Sequence, residues 1–320
     1  MGSVLVFVTT ADGLPDDVST QALTLAAGLA AGGAVYALVL DDQAAAATLG
    51  DWGATHAHVA THASVGLSAP DACARVIDDL AGRLGADVIV GPGTDAGNTI
   101  LARVAARAGL PFAANCTAAT PGSPVTVTRL RWGGSLLEEA AVNAERAVIS
   151  VAPFTVVATR TGGAATVTTF TPTLDEADLA VRVIERIPAP AGGISLAEAK
   201  VVVSGGRGVG SEAGFALVDE LAGLLGAAVG CSRAVTIAGW RSHTAQVGQT
   251  GTKIAPDLYI AAGISGATQH MAGCRSSKKI LAINKDPESP IMSGADYAVI
   301  GDLHEVLPAI SAEIRRRREA

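Results

Sequence analysis

Charge and aromatic side chains are what this sequence has least of. Only 3% of the 320 residues are Phe, Trp or Tyr and only 17% are charged. Ala and Gly dominate instead, so the interior is expected to bring backbones close together rather than to pack large rings. The formal net charge of −7 argues against a nucleic acid as the main partner. The run Val4-Leu5-Val6-Phe7-Val8 has no basic stretch before it, and acids arrive early at Asp12, Asp16 and Asp17. Neither a secretory signal nor a transit peptide fits that pattern. No stretch reaches the roughly 18 uninterrupted apolar residues of a spanning helix, so a cytoplasmic location without membrane insertion is expected. Cys73, Cys116, Cys231 and Cys274 are scattered, with no Cys-x-x-Cys. Reduced, buried thiols are the expectation, because an Fe–S cluster or a redox dithiol needs tighter spacing.

What is present is an apolar fraction of 49%, enough for a sizeable core. The length fits two domains or one large α/β unit. Residues 4–8 read as a short strand, 22–29 as a helix apolar nearly all round, and 34–40 as the next strand. Residues 69–84 carry apolar side chains at helical spacing, with Asp71, Arg75, Asp78, Asp79 and Arg83 opposite. After a strand at 88–90, Gly91-Pro92-Gly93-Thr94-Asp95-Ala96-Gly97 turns into a helix near 98–108. Such alternation predicts a parallel sheet covered by helices. From Pro121 to about Pro172 the texture changes to Thr and Val with period-two segments at 125–132, 147–151 and 165–170. These read as an antiparallel meander or as strands added at a sheet edge. Ile187-Pro188-Ala189-Pro190-Ala191-Gly192-Gly193 has linker composition and divides domains at 1–190 and 196–320. The second half restarts the alternation, with strands at 201–204, 258–262, 280–283 and 297–300 and helices at 210–225 and 303–318.

Five polar or glycine-rich motifs punctuate that second half. In Val203-Ser204-Gly205-Gly206-Arg207-Gly208-Val209-Gly210 a buried strand runs into a glycine-rich turn expected to open a helix. Glycines permit close backbone approach, and a helix N-terminus offers free N–H groups to a phosphate, which Arg207 could also pair. The spacing is not the G-x-G-x-x-G fingerprint, so the turn alone reads equally as a plain tight connection. The second motif joins Gly230-Cys231-Ser232-Arg233 to Gln246-Val247-Gly248-Gln249-Thr250-Gly251. Gly263-Ile264-Ser265-Gly266-Ala267-Thr268-Gln269-His270 is the third, Asn284-Lys285-Asp286-Pro287 the fourth and Gly301-Asp302-Leu303 the fifth. Four of the five fall at or just after expected strand ends, where an open α/β sheet binds ligands.

In order and separation, these phrases resemble the FAD domain of electron transfer flavoprotein α subunits. Ala-Gly-Trp ending at Trp240, Ala-Pro-Asp-Leu-Tyr-Ile-Ala ending at Ala261 and Ile-Asn-Lys-Asp-Pro ending at Pro287 add to the likeness. The N-terminal half resembles the family more loosely, through Gly91 to Gly97 and the following helix. The resemblance implies an α/β protein of two domains. The N-terminal parallel-sheet domain, with added antiparallel strands, would be scaffold and subunit interface, and the C-terminal domain would be doubly wound and bind FAD. Arg207 resembles the arginine at the FAD phosphates. Ser232 and Arg233 resemble the pair beside the isoalloxazine, where the guanidinium favours an anionic reduced flavin. Val247, Gly248, Gln249 and Thr250 resemble the loop against the ring, with the threonine hydroxyl near N5 or O4. Ser265, Gly266, Ala267, Thr268, Gln269 and His270 resemble the turn around the ribityl and phosphate groups, His270 lying near the O2 carbonyl. Asn284, Asp302 and Leu303 resemble the adenosine-side contacts. Two positions depart from the family: Ile237, where relatives usually carry an acid, and His304, where an aromatic is common.

Other features read as structural. His56, His58 and His62 lack a nearby carboxylate or Cys to complete a metal set. The arginines at 315–318 complement a helix C-terminus. Asp95 and Asn98 are assigned no site. No nucleophile–base pair or carboxylate dyad stands out, so the expectation is an electron carrier rather than a substrate-transforming enzyme. Electrons would arrive from a flavoprotein dehydrogenase, such as one acting on acyl-CoA, and leave to a quinone-linked oxidoreductase, with a β subunit completing a heterodimer. Three alternatives stand beside it: an NAD(P)-dependent oxidoreductase, an NADH-linked electron-bifurcating flavoprotein, and a nucleotide-binding regulatory protein.

Overall fold

The computed structural model describes residues 2–134, 136–183 and 194–319. The chain divides into two compact units, Met1–Arg186 and Ile187–Ala320. The linker expected at 187–193 lies outside the described residues.

In the first unit, β1 (Val4–Phe7), β2 (Thr10–Ala11), β3 (Leu14–Pro15), α1 (Asp17–Ala30), β4 (Val35–Leu40), α2 (Gln43–Thr48) and β5 (His56–Ala60) lead the chain. They are followed by α3 (Pro70–Leu84), β6 (Val88–Pro92), α4 (Asp95–Ala108), β7 (Phe112–Thr120), β8 (Val125–Arg131), β9 (Leu136–Val142), β10 (Ala147–Val151) and β11 (Thr166–Phe170). Apart from the β2–β3 ribbon, the strands form one sheet in the order β11-β5-β4-β1-β6-β10-β7-β8-β9. Every pair from β11 to β7 is parallel, and β7–β8 and β8–β9 are antiparallel. Local chemistry sets the helix ends. Asp16 accepts from the Ser19 N–H at 2.7 Å to start α1, Thr94 caps α4, and left-handed Gly85 and Gly109 stop α3 and α4. Along β1, Val4 and Val6 pack into the core on one face of the sheet, Leu5 and Phe7 into the core on the other.

The segments expected as an antiparallel meander separate into three places. Only 125–131 is antiparallel. Ala147–Val151 instead inserts between β6 and β7 as a parallel strand, and all five of its residues are buried. Its apolar run belongs to a strand covered on both faces, not to a half-exposed edge. Thr166–Phe170 pairs parallel with β5 at the opposite edge. Besides β5 and the short β2–β3 ribbon, the strands β7 and β9 went unread. Phe112–Thr120 is Ala-rich, and Leu136–Val142 carries Glu138 and Glu139, so neither shows clean alternation.

The second unit contains β12 (Val201–Gly205), α5 (Ala216–Leu225), β13 (Ala228–Cys231), α6 (Arg233–Ile237), β14 (Leu258–Ala262), α7 (Thr268–Cys274), β15 (Ile280–Asn284), α8 (Pro290–Ser293), β16 (Tyr297–Ile300) and α9 (Leu303–Glu319). Its sheet runs β13-β12-β14-β15-β16, wholly parallel. Strand order reverses beside β12, which makes the gap between β12 and β14 the topological switch point. The helix expected from residue 210 begins later. Two 3-10 turns, Arg207–Val209 and Ala213–Phe215, intervene before Ala216, so the glycine-rich turn does not itself open an α-helix. The sheet alternates cleanly: Val203, Ile260 and Ile283 join Phe215 and Leu307 in one core, while Val202, Tyr259 and Ala282 join Ile254 and Cys274 in the other. No helix among the described residues is long and apolar enough to cross a membrane.

Candidate functional site

All five strands of the second sheet point the same way, so their C-terminal ends share one edge. Each ends in one of the five motifs: β12 at Gly205, β13 at Cys231, β14 at Ala262, β15 at Asn284 and β16 at Ile300. Sequence reading recognised four of these strand ends; β13 is short and contains a glycine, which hid it.

The loops along this edge are tied to one another through the backbone. Gly206 N–H donates to Ala262 O at 2.8 Å and Gly208 N–H to Gly263 O at 3.0 Å, closing the first loop on the third across the switch point. A Cβ at Gly206 would lie 2.2 Å from the Gly263 carbonyl oxygen, and one at Gly208 2.7 Å from the Gly263 Cα. Only glycine allows this approach. The second loop returns to the same edge: Val247 N–H donates to Cys231 O at 2.9 Å and Gln249 N–H to Gln269 O at 2.7 Å. Gly273 of α7 sits against Gly248, whose φ of 148° favours glycine. Gly266, at φ 78°, has room only for hydrogen, because a Cβ would meet Ile291 N at 2.4 Å.

Side chains complete the cradle. Arg207 and Arg233 are exposed, and among the described residues neither guanidinium is paired with a carboxylate. Most other cations of this unit are held: Arg241 by Asp219, Lys278 by Asp257, Lys279 by Asp296 and Arg315 by Glu220. Ser232 is buried and its hydroxyl makes no helix-capping bond. Gln246, also buried, accepts from Thr236 Oγ1 at 2.8 Å and donates through Nε2 to Thr250 Oγ1 at 3.0 Å. The Thr250 oxygen is thus engaged as an acceptor, and its own proton stays available to a ligand. Ser265, Ala267, Thr268 and Gln269 are exposed on the turn into α7.

Farther along the edge the groups are more committed. Asn284 Nδ2 donates to Ile264 O at 2.9 Å and Ser289 Oγ at 3.2 Å, so its amide clamps the third and fourth loops together. Asp302 is gripped by Lys285 at 2.7 Å and by His304, which hold its carboxyl well below the usual carboxylate range. His304 Nε2 also approaches Val209 O at 3.2 Å, joining the fifth loop to the first. Leu303 is buried in the core. A cavity of about 110 Å³ opens between Gly208, Gly263, Asn284, Lys285 and Asp302.

Three participants lie inside the motifs and phrases of the sequence but were given no role there. Tyr259 is fully buried, and its hydroxyl lies 2.7 Å from His270 Nε2; Ser204, fully buried on β12, lies beside the same hydroxyl. Burial raises the Tyr259 pKa well above its ordinary value. Burial also lowers His270 to about 4, opposed by the Val247 carbonyl, so the imidazole is neutral at pH 7. His270 Nδ1 and Ser204 Oγ are buried without completing a hydrogen bond. A hydroxyl and a phenol inside otherwise apolar strands were the signal available. Gln246 is the third, and its value as a clamp depends on the loop's path.

All four cysteines are buried and free, with desolvation pushing each thiol up to about 11 or 12. Thiolate chemistry is therefore suppressed at neutral pH. Among the described residues no group of three or more His, Cys, Asp or Glu is placed to hold a metal ion.

Residues 4–175 match the family model described as "Electron transfer flavoprotein domain", and residues 195–275 match the "Electron transfer flavoprotein FAD-binding domain". The chain is 38% identical over 272 residues to "Protein FixB" of Clostridium saccharobutylicum, spanning 83% of this chain and 81% of that protein. It is 37% identical over 251 residues to "Electron transfer flavoprotein subunit alpha" of Thermoanaerobacterium thermosaccharolyticum, covering 76% and 75% of the two chains. To the protein of that name in Bacillus subtilis it is 51% identical over 139 residues, 43% of each chain.

Proposed function

This chain belongs to the electron transfer flavoprotein α-subunit family, and from that premise we propose that it is the FAD-holding subunit of a cytoplasmic electron carrier. In this reading a β subunit completes the heterodimer. Electrons come from a flavoprotein dehydrogenase, such as one acting on acyl-CoA, and pass to a quinone-linked oxidoreductase. The observation that carries the reading is the convergence of five motif-bearing loops on one edge of a parallel sheet, with Arg207 and Arg233 exposed there and unpaired.

The residues fit a large dianionic cofactor. Glycines at 206, 208 and 263 let the first and third loops close on each other at the switch point, and Arg207, exposed on the first loop, is free to neutralise a phosphate there. Arg233 supplies a fixed positive charge on the neighbouring loop, which favours negative charge on the ring. Thr250 has a proton to donate, and His270 brings a buried ring nitrogen that has no completed bond. Val247 and Gly248 are buried and form an apolar wall. FAD, when bound, supplies the reversible uptake of one or two electrons, and the chain contributes binding, orientation and electrostatics.

The test is the cofactor that co-purifies when the chain is expressed together with its β subunit. A yellow complex with flavin absorption bands, releasing FAD on denaturation, is expected. A colourless complex that binds NAD(P) instead would overturn the reading in favour of a pyridine-nucleotide enzyme.

A further inference from the structure

Gln246 sits on the second loop with its backbone fully committed. Its N–H donates to His243 O at 3.0 Å, its carbonyl accepts from Thr252 N–H at 2.7 Å, and it bridges to Cys231 of β13. The side chain is only 2% exposed, so its amide cannot turn to bulk water. It lies instead between two hydroxyls, Thr236 Oγ1 at 2.8 Å and Thr250 Oγ1 at 3.0 Å. Thr236 Oγ1 also lies 2.9 Å from Arg233 O, a group that can only accept. Thr236 is half-buried on α6, whereas Thr250 is exposed and forms the outer end of the line. The line therefore joins the helix that carries Arg233 to the loop that carries Thr250.

Donor and acceptor capacity lets this line run in two directions. In the first, Thr236 gives its proton to Gln246 Oε1, Gln246 Nε2 gives one to Thr250 Oγ1, and the Thr250 proton points outward. A hydroxyl has a single proton, however, and here Gln246 Oε1 and Arg233 O compete for that of Thr236. The second direction removes the competition. A half-turn of the amide about its last side-chain bond exchanges oxygen and nitrogen, which occupy nearly the same space. Thr236 then donates to Arg233 O and accepts from Nε2. Thr250 donates inward to Oε1, and its oxygen stays open to an outside donor. Both ends of the buried amide are satisfied in either direction, so what approaches Thr250 decides between them. Rotation of one amide and two hydroxyls makes the change; no covalent bond breaks and no proton leaves the chain.

We propose that Gln246 is a positioning residue whose amide sets the polarity of Thr250: donor towards a ligand atom that accepts, acceptor towards one that carries a proton. A ring nitrogen that is bare in oxidised FAD and protonated after two-electron reduction presents both in turn, its electrons coming from the donor flavoprotein and its proton from water. That use rests on the flavin reading above; the two-way amide does not.

The experiment is nuclear Overhauser spectroscopy on the complex with the β subunit, deuterated except at glutamine side-chain amides and threonine methyl groups. It is run with FAD stripped, with oxidised FAD, and with FAD reduced by dithionite. Gln246 is assigned by loss of its signals in Gln246→Leu, and the two methyl groups by Thr236→Val and Thr250→Val. The stripped complex is expected to show the amide protons beside both methyl groups. Oxidised FAD shifts the population towards the Thr250 contact and reduction towards the Thr236 contact, by about tenfold each way, as for one hydrogen bond. A contact that reduction leaves on the same single threonine, or moves the other way, overturns the proposal. Both contacts persisting, indifferent to FAD in either form, would sink the flavin placement of Thr250 and leave the two-way amide standing. These readings are taken on the wild-type chain, and the variants serve assignment alone.

Discussion

The two sheets of this chain obey one topological rule and treat their carboxyl edges in opposite ways. Each has a switch point, between β1 and β6 in the first and between β12 and β14 in the second. In the first, the polar groups near that edge satisfy one another. Asn98 Nδ2 donates to Gly93 O and Asn115 Oδ1, and Ser150 Oγ donates to Asn98 Oδ1 at 2.6 Å while accepting from Asn115 N–H at 2.9 Å. Thr9, Asp16 and Ser19 close a second such cluster. Among the described residues of the second unit, Arg207 and Arg233 stay unpaired with a carboxylate, and Ser204 Oγ, Arg241 Nε and His270 Nδ1 are buried without a completed bond; in the first sheet His58 Nε2, on β5 and away from that cluster, is likewise unpartnered. Buried polar groups are almost always satisfied. The open groups beside the second edge suit the cofactor proposed there, whereas the hydrogen-bonded clusters at the first edge contribute stability. A hollow of about 430 Å³ in the first unit is lined by Gly2, Asp87, Val88 and Ala147, at the opposite, N-terminal ends of the strands.

The harshest way to break the open edge is to fill it. Gly206→Ala drives a methyl group into the Gly263 carbonyl, where the contact is backbone against backbone and no side chain can swing aside. We expect a loss of about 3 kcal/mol in the second unit's stability and loss of the co-purified flavin. The first unit should keep its own melting transition. A yellow complex of wild-type stability would show that the two loops are not as close as described.

Acid should also separate the two edges. His270 is neutral in the fold, with a pKa lowered by burial from the ordinary 6.5 to about 4. Between those values the unfolded chain binds a proton that the folded chain refuses. The stability of the neutral ring is therefore complete above pH 6.5 and falls as pH drops towards 4. The gap corresponds to about 3 kcal/mol for this group. Denaturant titrations of wild type and His270→Gln should thus converge or cross as pH falls from 7 to 4. Parallel curves would mean the imidazole is already charged, or solvated, at neutral pH.

Closed clusters make a complementary prediction. Asn98→Ala removes three hydrogen bonds at the first edge and leaves Ser150 and Asn115 short of partners. A cost of about 1–3 kcal/mol is expected in the first unit, with flavin content and midpoint potential unchanged. A shifted potential would make the first edge part of the redox site and dissolve the contrast between the units.

Much of this contrast was legible before the fold was known, and its limits are physical. The strands Leu258–Ala262 and Ile280–Asn284 are short apolar runs stopped by turn residues, so the sequence marks them and the motifs behind them. Ala147–Val151 looks the same locally but sits in mid-sheet, because pairing partners are chosen by tertiary packing and not by the segment itself. The order of the glycine motifs carried the family resemblance. Nothing local could reveal that Ser204, Tyr259 and His270 align: their meeting depends on one parallel register and on the helix laid over it. Gln246 likewise reads as a loop amide until the loop folds back over Thr236.

The smallest effect tests the open edge through charge alone. Arg233 is exposed at the start of α6, so water and salt screen it, and its influence on a bound ring is modest. With the flavin placed as proposed, Arg233→Gln removes one positive charge without burying anything or opening a cavity. The midpoint potential should fall on the order of tens of millivolts, because the reduced, more negative ring loses more stabilisation than the oxidised one. Arg233→Lys should recover part of the shift, since it restores charge but not the guanidinium fork. The wild-type potential should move with ionic strength more than that of Arg233→Gln, for the same reason of screening. Equal potentials in FAD-replete wild type and Arg233→Gln would place the guanidinium away from the ring. The open edge would then keep Arg207 at the phosphates, but its second cation would need another role.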